Sequence, residues 1–73
     1  MKYYFEWYIS KCKKDNNKID ENFLEWIKKV ENKILLMYGI SLLDLPDENY
    51  MDYYEKKLSP ELMADEIFQN NKI

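Results

Sequence analysis

The sequence predicts an all-α protein, a compact bundle of three to four short helices. Two observations carry this. Apolar residues recur at spacings of three and four along several segments, the period of a helix with one buried face. The single Gly and both Pro of the 73-residue chain all fall between Gly39 and Ala64, together with two helix-start signals, so breakers punctuate helices there. A rival reading exists at the start, where Tyr3, Phe5, Trp7 and Ile9 alternate as a strand would. No second strand is available to pair with it, and an unpaired edge is unfavourable.

The first helix is expected from Lys2 to Lys14. At 100° per residue, Met1, Phe5, Tyr8, Ile9 and Cys12 share one face. Tyr3, Trp7, Lys11 and Lys14 share the opposite, aromatic and basic face. Asp15-Asn16-Asn17 ends the segment. The second helix runs from Glu21 to Tyr38. Asp20 can cap its start, and Gly39 stands where a left-handed residue closes a helix. Phe23, Ile27, Val30, Ile34 and Tyr38 form its stripe, which Leu24, Trp26 and Met37 widen. Glu25 and Lys29 make a favourable pair one turn apart on the wet face.

A compact connection follows, Ile40 to Asp47. Ser41 and Asp44 have capping-box spacing for a single turn, and Pro46 holds Leu45 extended. Asp47 can cap a third helix over Glu48 to Leu58, with Tyr50, Met51, Tyr54 and Leu58 inside and Tyr53 at the exposed edge. Ser59 and Pro60 open a fourth helix as N-cap and first residue. Met63, Ala64, Ile67 and Phe68 form its inner face, and Glu61 suits the dipole of its first turn.

Size allows one domain, residues 1–73, with 1–20 reading as a helix and turn added to a helical core at 21–70. A chain this short buries only about 60% of its unfolded surface, so a partner or self-association would help it. An apolar share of 47% argues for a folded chain despite the charge. That charge is uneven. Residues 1–34 carry eight Lys against six acids, net +2, and residues 35–73 carry three against eight, net −5. There is no Arg, the residue that grips phosphate and guanine through a bidentate fork, and no His, the usual acid, base and metal ligand. The abundance of Lys, Asn, Ile and Tyr reads first as a coding bias. A lone Cys12 allows no internal disulfide and reads as a small buried hydrophobe. The N-terminus lacks the features of a signal peptide and no stretch is apolar enough to span a membrane, so a cytoplasmic setting is expected.

From Phe23 to Asn70 the chain carries Trp26-x-x-x-Val30, then Gly39-Ile40-Ser41-Leu42, Asp44-Leu45-Pro46-Asp47, Tyr50 and Tyr54, Ser59-Pro60 and Ala64. This pattern, over roughly two thirds of the chain, resembles a group of short bacterial and phage proteins of unknown function. Where those proteins commonly carry a Gly after the third helix, Lys57 and Leu58 stand here. The resemblance implies a small helical module of mobile-element origin and assigns no catalytic residue.

Asp44, Asp47, Glu48 and Asp52 cluster, but they lack the spacing and central Gly of a calcium loop, and two read as caps. Without His, and with one Cys, nucleophile and base arrangements are scarce. No enzyme activity, cofactor, metal or small-molecule substrate is expected. Tyr50, Tyr53 and Tyr54 could stack on bases, yet they lie in the acidic half, and the third and fourth helices are too acidic for a DNA-reading pair. The expected function is protein interaction, with a protein partner or a second copy, modulating a host protein complex. The candidate surface comprises Tyr3, Trp7 and Lys11 on the first helix, and Asp44, Asp47 and Tyr53 around the acidic turn. The alternatives are nucleic-acid binding through Lys11, Lys13, Lys14, Lys28, Lys29 and Lys33, and an acidic DNA-mimic inhibitor.

Overall fold

The long amphipathic segment in the middle of the sequence becomes the spine on which every other element packs. The computed structural model describes residues 2–71. These contain α1 (Tyr4–Lys14), α2 (Glu21–Tyr38), a single 3₁₀ turn (Leu42–Asp44), α3 (Tyr50–Glu55) and α4 (Pro60–Asn71), with no strand among them. The alternating Tyr3–Ile9 pattern is thus resolved as helix from Tyr4 onward.

Named contacts fix the directions. The Tyr8 hydroxyl accepts the Asp20 N–H at 3.0 Å, while the start of α1 meets Glu31, so α1 runs antiparallel to α2. Tyr50 meets Tyr4 edge-on at 4.9 Å, and Tyr54 meets Phe23 and Trp26 at 5.4 and 5.5 Å, so α3 also opposes α2. Trp26 donates its indole N–H to the Leu58 carbonyl at 2.7 Å, just before α4. Near the far end of α4, Phe68 stacks on Tyr38 with centroids 5.4 Å apart. Helix α4 therefore runs parallel to α2.

The core is the α2 stripe of Phe23, Trp26, Ile27, Val30 and Ile34, closed by Leu42, Tyr50, Met63, Ala64 and Ile67. Each large apolar side chain buried there stabilises by about 1.5–3 kcal/mol. Tyr4, Phe5 and Tyr8 of α1 pack against it half-buried, and Cys12 is buried.

Caps decide the boundaries. The Asp20 carboxylate accepts the Phe23 N–H at 3.1 Å. Ser41 and Asp44 cap reciprocally, with the Ser41 N–H on Asp44 Oδ2 at 2.9 Å and the Leu43 N–H on Ser41 Oγ at 3.0 Å. Ser59 Oγ accepts the Leu62 N–H at 3.2 Å. Gly39 adopts φ +70 and donates its N–H to the Leu35 carbonyl at 2.8 Å, closing α2. Two further helices end in Schellman motifs on residues other than Gly. Asn16 (φ 60) ends α1, with the Asn17 N–H on the Cys12 carbonyl at 2.8 Å. Lys57 (φ 61) ends α3, with its own N–H on the Tyr54 carbonyl at 2.9 Å and the Leu58 N–H on Tyr53 at 3.4 Å. The chain thus makes the glycine-type turn after α3 with Lys57.

One buried acid has no counterpart in the expectations above. Glu31 is 2% exposed, and its carboxylate accepts three backbone N–H groups: Tyr4 at 2.8 Å, Phe5 at 3.2 Å and Leu42 at 2.9 Å. These are first-turn donors of α1 and of the 3₁₀ turn, which no intrahelical carbonyl can satisfy. A carboxylate also suits the positive end of a helix. One side chain of α2 therefore caps two other elements and sets where both begin.

Several expectations are corrected. Helix α1 starts at Tyr4, not Lys2, because Glu31 takes its first free amides. Ile9 is only half-buried and lies outside the core, and Met1 lies outside the described residues. Helix α3 spans Tyr50–Glu55 rather than 48–58, and Asp47 does not cap it; Asn49 precedes the helix, without a side-chain cap. The 3₁₀ turn ends at Leu45 with extended backbone (φ −109, ψ 157). Helix is regained where Tyr50 enters the core and lost at Lys57. Tyr53, expected at an exposed edge, is half-buried against the core. Met37 and Phe68 were expected inside but are 52% and 39% exposed. Glu25 and Lys29 do not close; the ion pair formed among the described residues is Lys56 to Asp52 at 3.5 Å.

A candidate docking face on α1

The two-faced composition of α1 places different chemistry on its two sides. Tyr4, Phe5, Tyr8 and Cys12 turn toward α2 and the core. Trp7 is half-buried on the outer side, tilted against Tyr4 with ring centroids 5.2 Å apart. Lys11, one turn on, holds its ammonium 5.0 Å from the centre of the Trp7 ring. Such a contact contributes about 0.5–1 kcal/mol at an exposed site and keeps the cation beside the ring.

Trp7, Lys11, Lys14 and Asp15 line an open depression of about 420 Å³. It shares Trp7, Lys11 and Asp15 with a groove of about 230 Å³ between α1 and α3, whose walls include Tyr4, Tyr8, Cys12, Phe23 and Met51. The lining is aromatic and sulfur-rich. Met adapts to irregular contacts and aromatic rings anchor interfaces. Burial pushes the Tyr4 hydroxyl up to about 12, with the charge of Asp47 as the second cause. Burial also raises the Tyr8 and Tyr50 hydroxyls. These phenols therefore stay protonated near neutral pH and offer hydrogen bonds, not charge.

The residues singled out from sequence do not form one surface. Trp7 and Lys11 lie together. Tyr3 stacks on Phe5 at 5.6 Å and lines a separate depression with Lys28, Asn32 and Leu35, so it leaves the Trp7 face. Asp44 is used in capping Ser41. Asp47 is exposed, close enough to influence Tyr4 and Tyr50 electrostatically. Tyr53 packs inward with the Lys56 ammonium 5.9 Å from its ring. The acidic run is divided in the same way. Asp52 pairs with Lys56, and Glu48 points toward Asn70 Nδ2 at 3.5 Å. Among the described residues no group of three His, Cys, Asp or Glu side chains is arranged to hold a metal ion. No helix among them is long and apolar enough to cross a membrane.

Sequence reasoning missed Glu31, which holds α1 in place, and Met51 and Cys12 as walls of the groove. Glu31 did leave a signal. It stands four residues after Ile27 and three before Ile34, a charge inside the apolar stripe, and such a charge needs partners.

No family model matches the chain, and neither a curated protein nor a solved structure gives a match.

Proposed function

We propose that this protein is a small non-enzymatic interaction module, of the kind a phage or mobile element encodes to modulate a host protein complex, and that the outer face of α1 receives the partner. The observation that carries the reading is Trp7. The other Trp, Trp26, is buried and its N–H is engaged by Leu58. Trp7 instead remains half-exposed beside Lys11, above a groove that continues to Met51. A partially exposed Trp flanked by a cation is a typical anchor for a partner. The three Glu31 bonds hold α1 in one position, so the face is ordered before binding, which limits the entropy lost on association. A complementary partner surface presents an apolar side chain to Trp7 and carboxylates to Lys11 and Lys14.

The mobile-element part of the reading rests on the Trp26-to-Ala64 pattern described above. The test is affinity capture from nuclease-treated host extract, comparing the wild type with Trp7→Ala and with Lys11→Glu/Lys14→Glu, each checked for folding by circular dichroism. The reading predicts a discrete protein retained by the wild type and lost from both variants. Equal capture by all three contradicts it. Capture seen only when the nuclease is omitted, and falling steeply with salt, favours nucleic-acid binding instead.

A further inference from the structure

We infer that the outer face of α1 docks the outer face of α4 of a second copy of this chain, joining protomers head to tail. The inference rests on the docking reading of the Trp7 face and adds a second occupant for it. Charge complementarity between the two helices carries it. From Tyr4 to Lys14, α1 has three Lys against Glu6, whereas α4 has Glu61, Asp65 and Glu66 and no Lys. The exposed side of α4 matches α1 position for position. Leu62 is 55% exposed, an apolar side chain left in water, and it shares an open depression with Asp65, Glu66 and Gln69. Leu62, Glu66 and Gln69 follow the same i, i+4, i+7 spacing as Trp7, Lys11 and Lys14. Each stripe is about 10 Å long at 1.5 Å per residue.

Laid in parallel, the two stripes place Trp7 beside Leu62, Lys11 beside Glu66 and Lys14 beside Gln69, with Asp65 at the flank. The depressions share no lining residue, so one protomer can use both at once. Contacts between two different patches of the same chain give rings or open chains rather than a closed two-fold pair. A single helix-on-helix contact lies at the small end of specific interfaces, so the association is weak and reversible. The exposed charges at its rim make it sensitive to salt.

The experiment is sedimentation equilibrium at low salt, from roughly 10 µM to 1 mM, a range suited to weak interfaces. The mass should rise above the 9.0 kDa of one chain as concentration increases. About 0.5 M salt should weaken the association tenfold or more. Lys11→Glu/Lys14→Glu and Asp65→Lys/Glu66→Lys should each stay monomeric while keeping their helical spectra, and an equimolar mixture of the two should associate again. A wild type that stays monomeric throughout overturns the inference but leaves the docking reading intact if Trp7→Ala still loses a captured protein. Association abolished by the α4 variant and untouched by the α1 variant or Trp7→Ala overturns the inference and removes self-association as support for the Trp7 face. A mixture of variants that remains monomeric overturns the pairing of these two faces.

Discussion

Glu31 Oε2 accepts the backbone N–H of Tyr4 at 2.8 Å across 27 residues of chain. The same carboxylate holds Phe5 and Leu42, so a single acid in the apolar stripe of α2 joins α1, the spine and the connection to α3. The exposed face of α1 is only as well defined as this joint.

Replacing Glu31 should therefore cost more than any surface acid. Glu31→Gln keeps the shape but loses the charge and one acceptor oxygen, at an expected cost of about 1–3 kcal/mol. Glu31→Leu leaves the buried Leu42 donor and the part-buried Tyr4 and Phe5 donors unpaired and should cost more. Thermal melts measure both, and amide exchange should accelerate at Tyr4, Phe5 and Leu42. An unchanged melt with protected amides would mean that water or another group caps these positions equally well.

The left-handed residues give opposite predictions. A Cβ at Gly39 meets nothing within 4 Å, so the cost of adding one is the backbone strain of φ +70. Gly39→Val should lose about 1–3 kcal/mol. Lys57 already bears such strain at φ 61, and Lys57→Gly should gain about 0.5–1 kcal/mol, because Gly relieves the Cβ penalty of about 1–2 kcal/mol and returns part of it as unfolded-state entropy. Denaturant titrations check both signs.

The local features were legible in the sequence, because a cap is written within four residues of the element it serves. Asp20, Gly39, Ser41 with Asp44, and Ser59 with Pro60 all act as their spacing implies. Features set by distant partners were not legible. Tyr3 and Trp7 sit one turn apart, yet Tyr3 follows Phe5 toward α2 while Trp7 stays outside. Asp47 has the type of a cap but lies before the point where Tyr50 enters the core. Glu31 stands as a charge inside the apolar stripe of α2, but its partners lie in α1 and in the 3₁₀ turn, which only the tertiary arrangement brings together.

High pH should unfold the protein through its tyrosines. Unfolded Tyr releases its proton near pH 10. In the folded chain burial and neighbouring charge push Tyr4 up to about 12, and Tyr50 is raised by the same causes. The folded state thus holds protons that the unfolded chain has lost. Its stability is complete below about pH 10 and declines as pH rises toward 12. Absorbance at the phenolate band, followed beside far-UV circular dichroism, should show Tyr4 and Tyr50 ionising only as helix is lost. Ionisation of Tyr4 and Tyr50 near pH 10 with the helices intact would contradict this.

The two tryptophans offer the most direct test of the claim that α1 is structural on one side and free on the other. Trp26 is 8% exposed and bonded to Leu58, so Trp26→Ala should cost about 3–5 kcal/mol. Trp7→Ala should cost less than about 1.5 kcal/mol, the loss of a partly exposed aromatic contact and one cation–π pair. The measurement is a pair of thermal melts under identical conditions. A small loss for Trp7→Ala beside a large one for Trp26→Ala is the predicted result; equal, large losses would place Trp7 in the core and leave α1 without a free face.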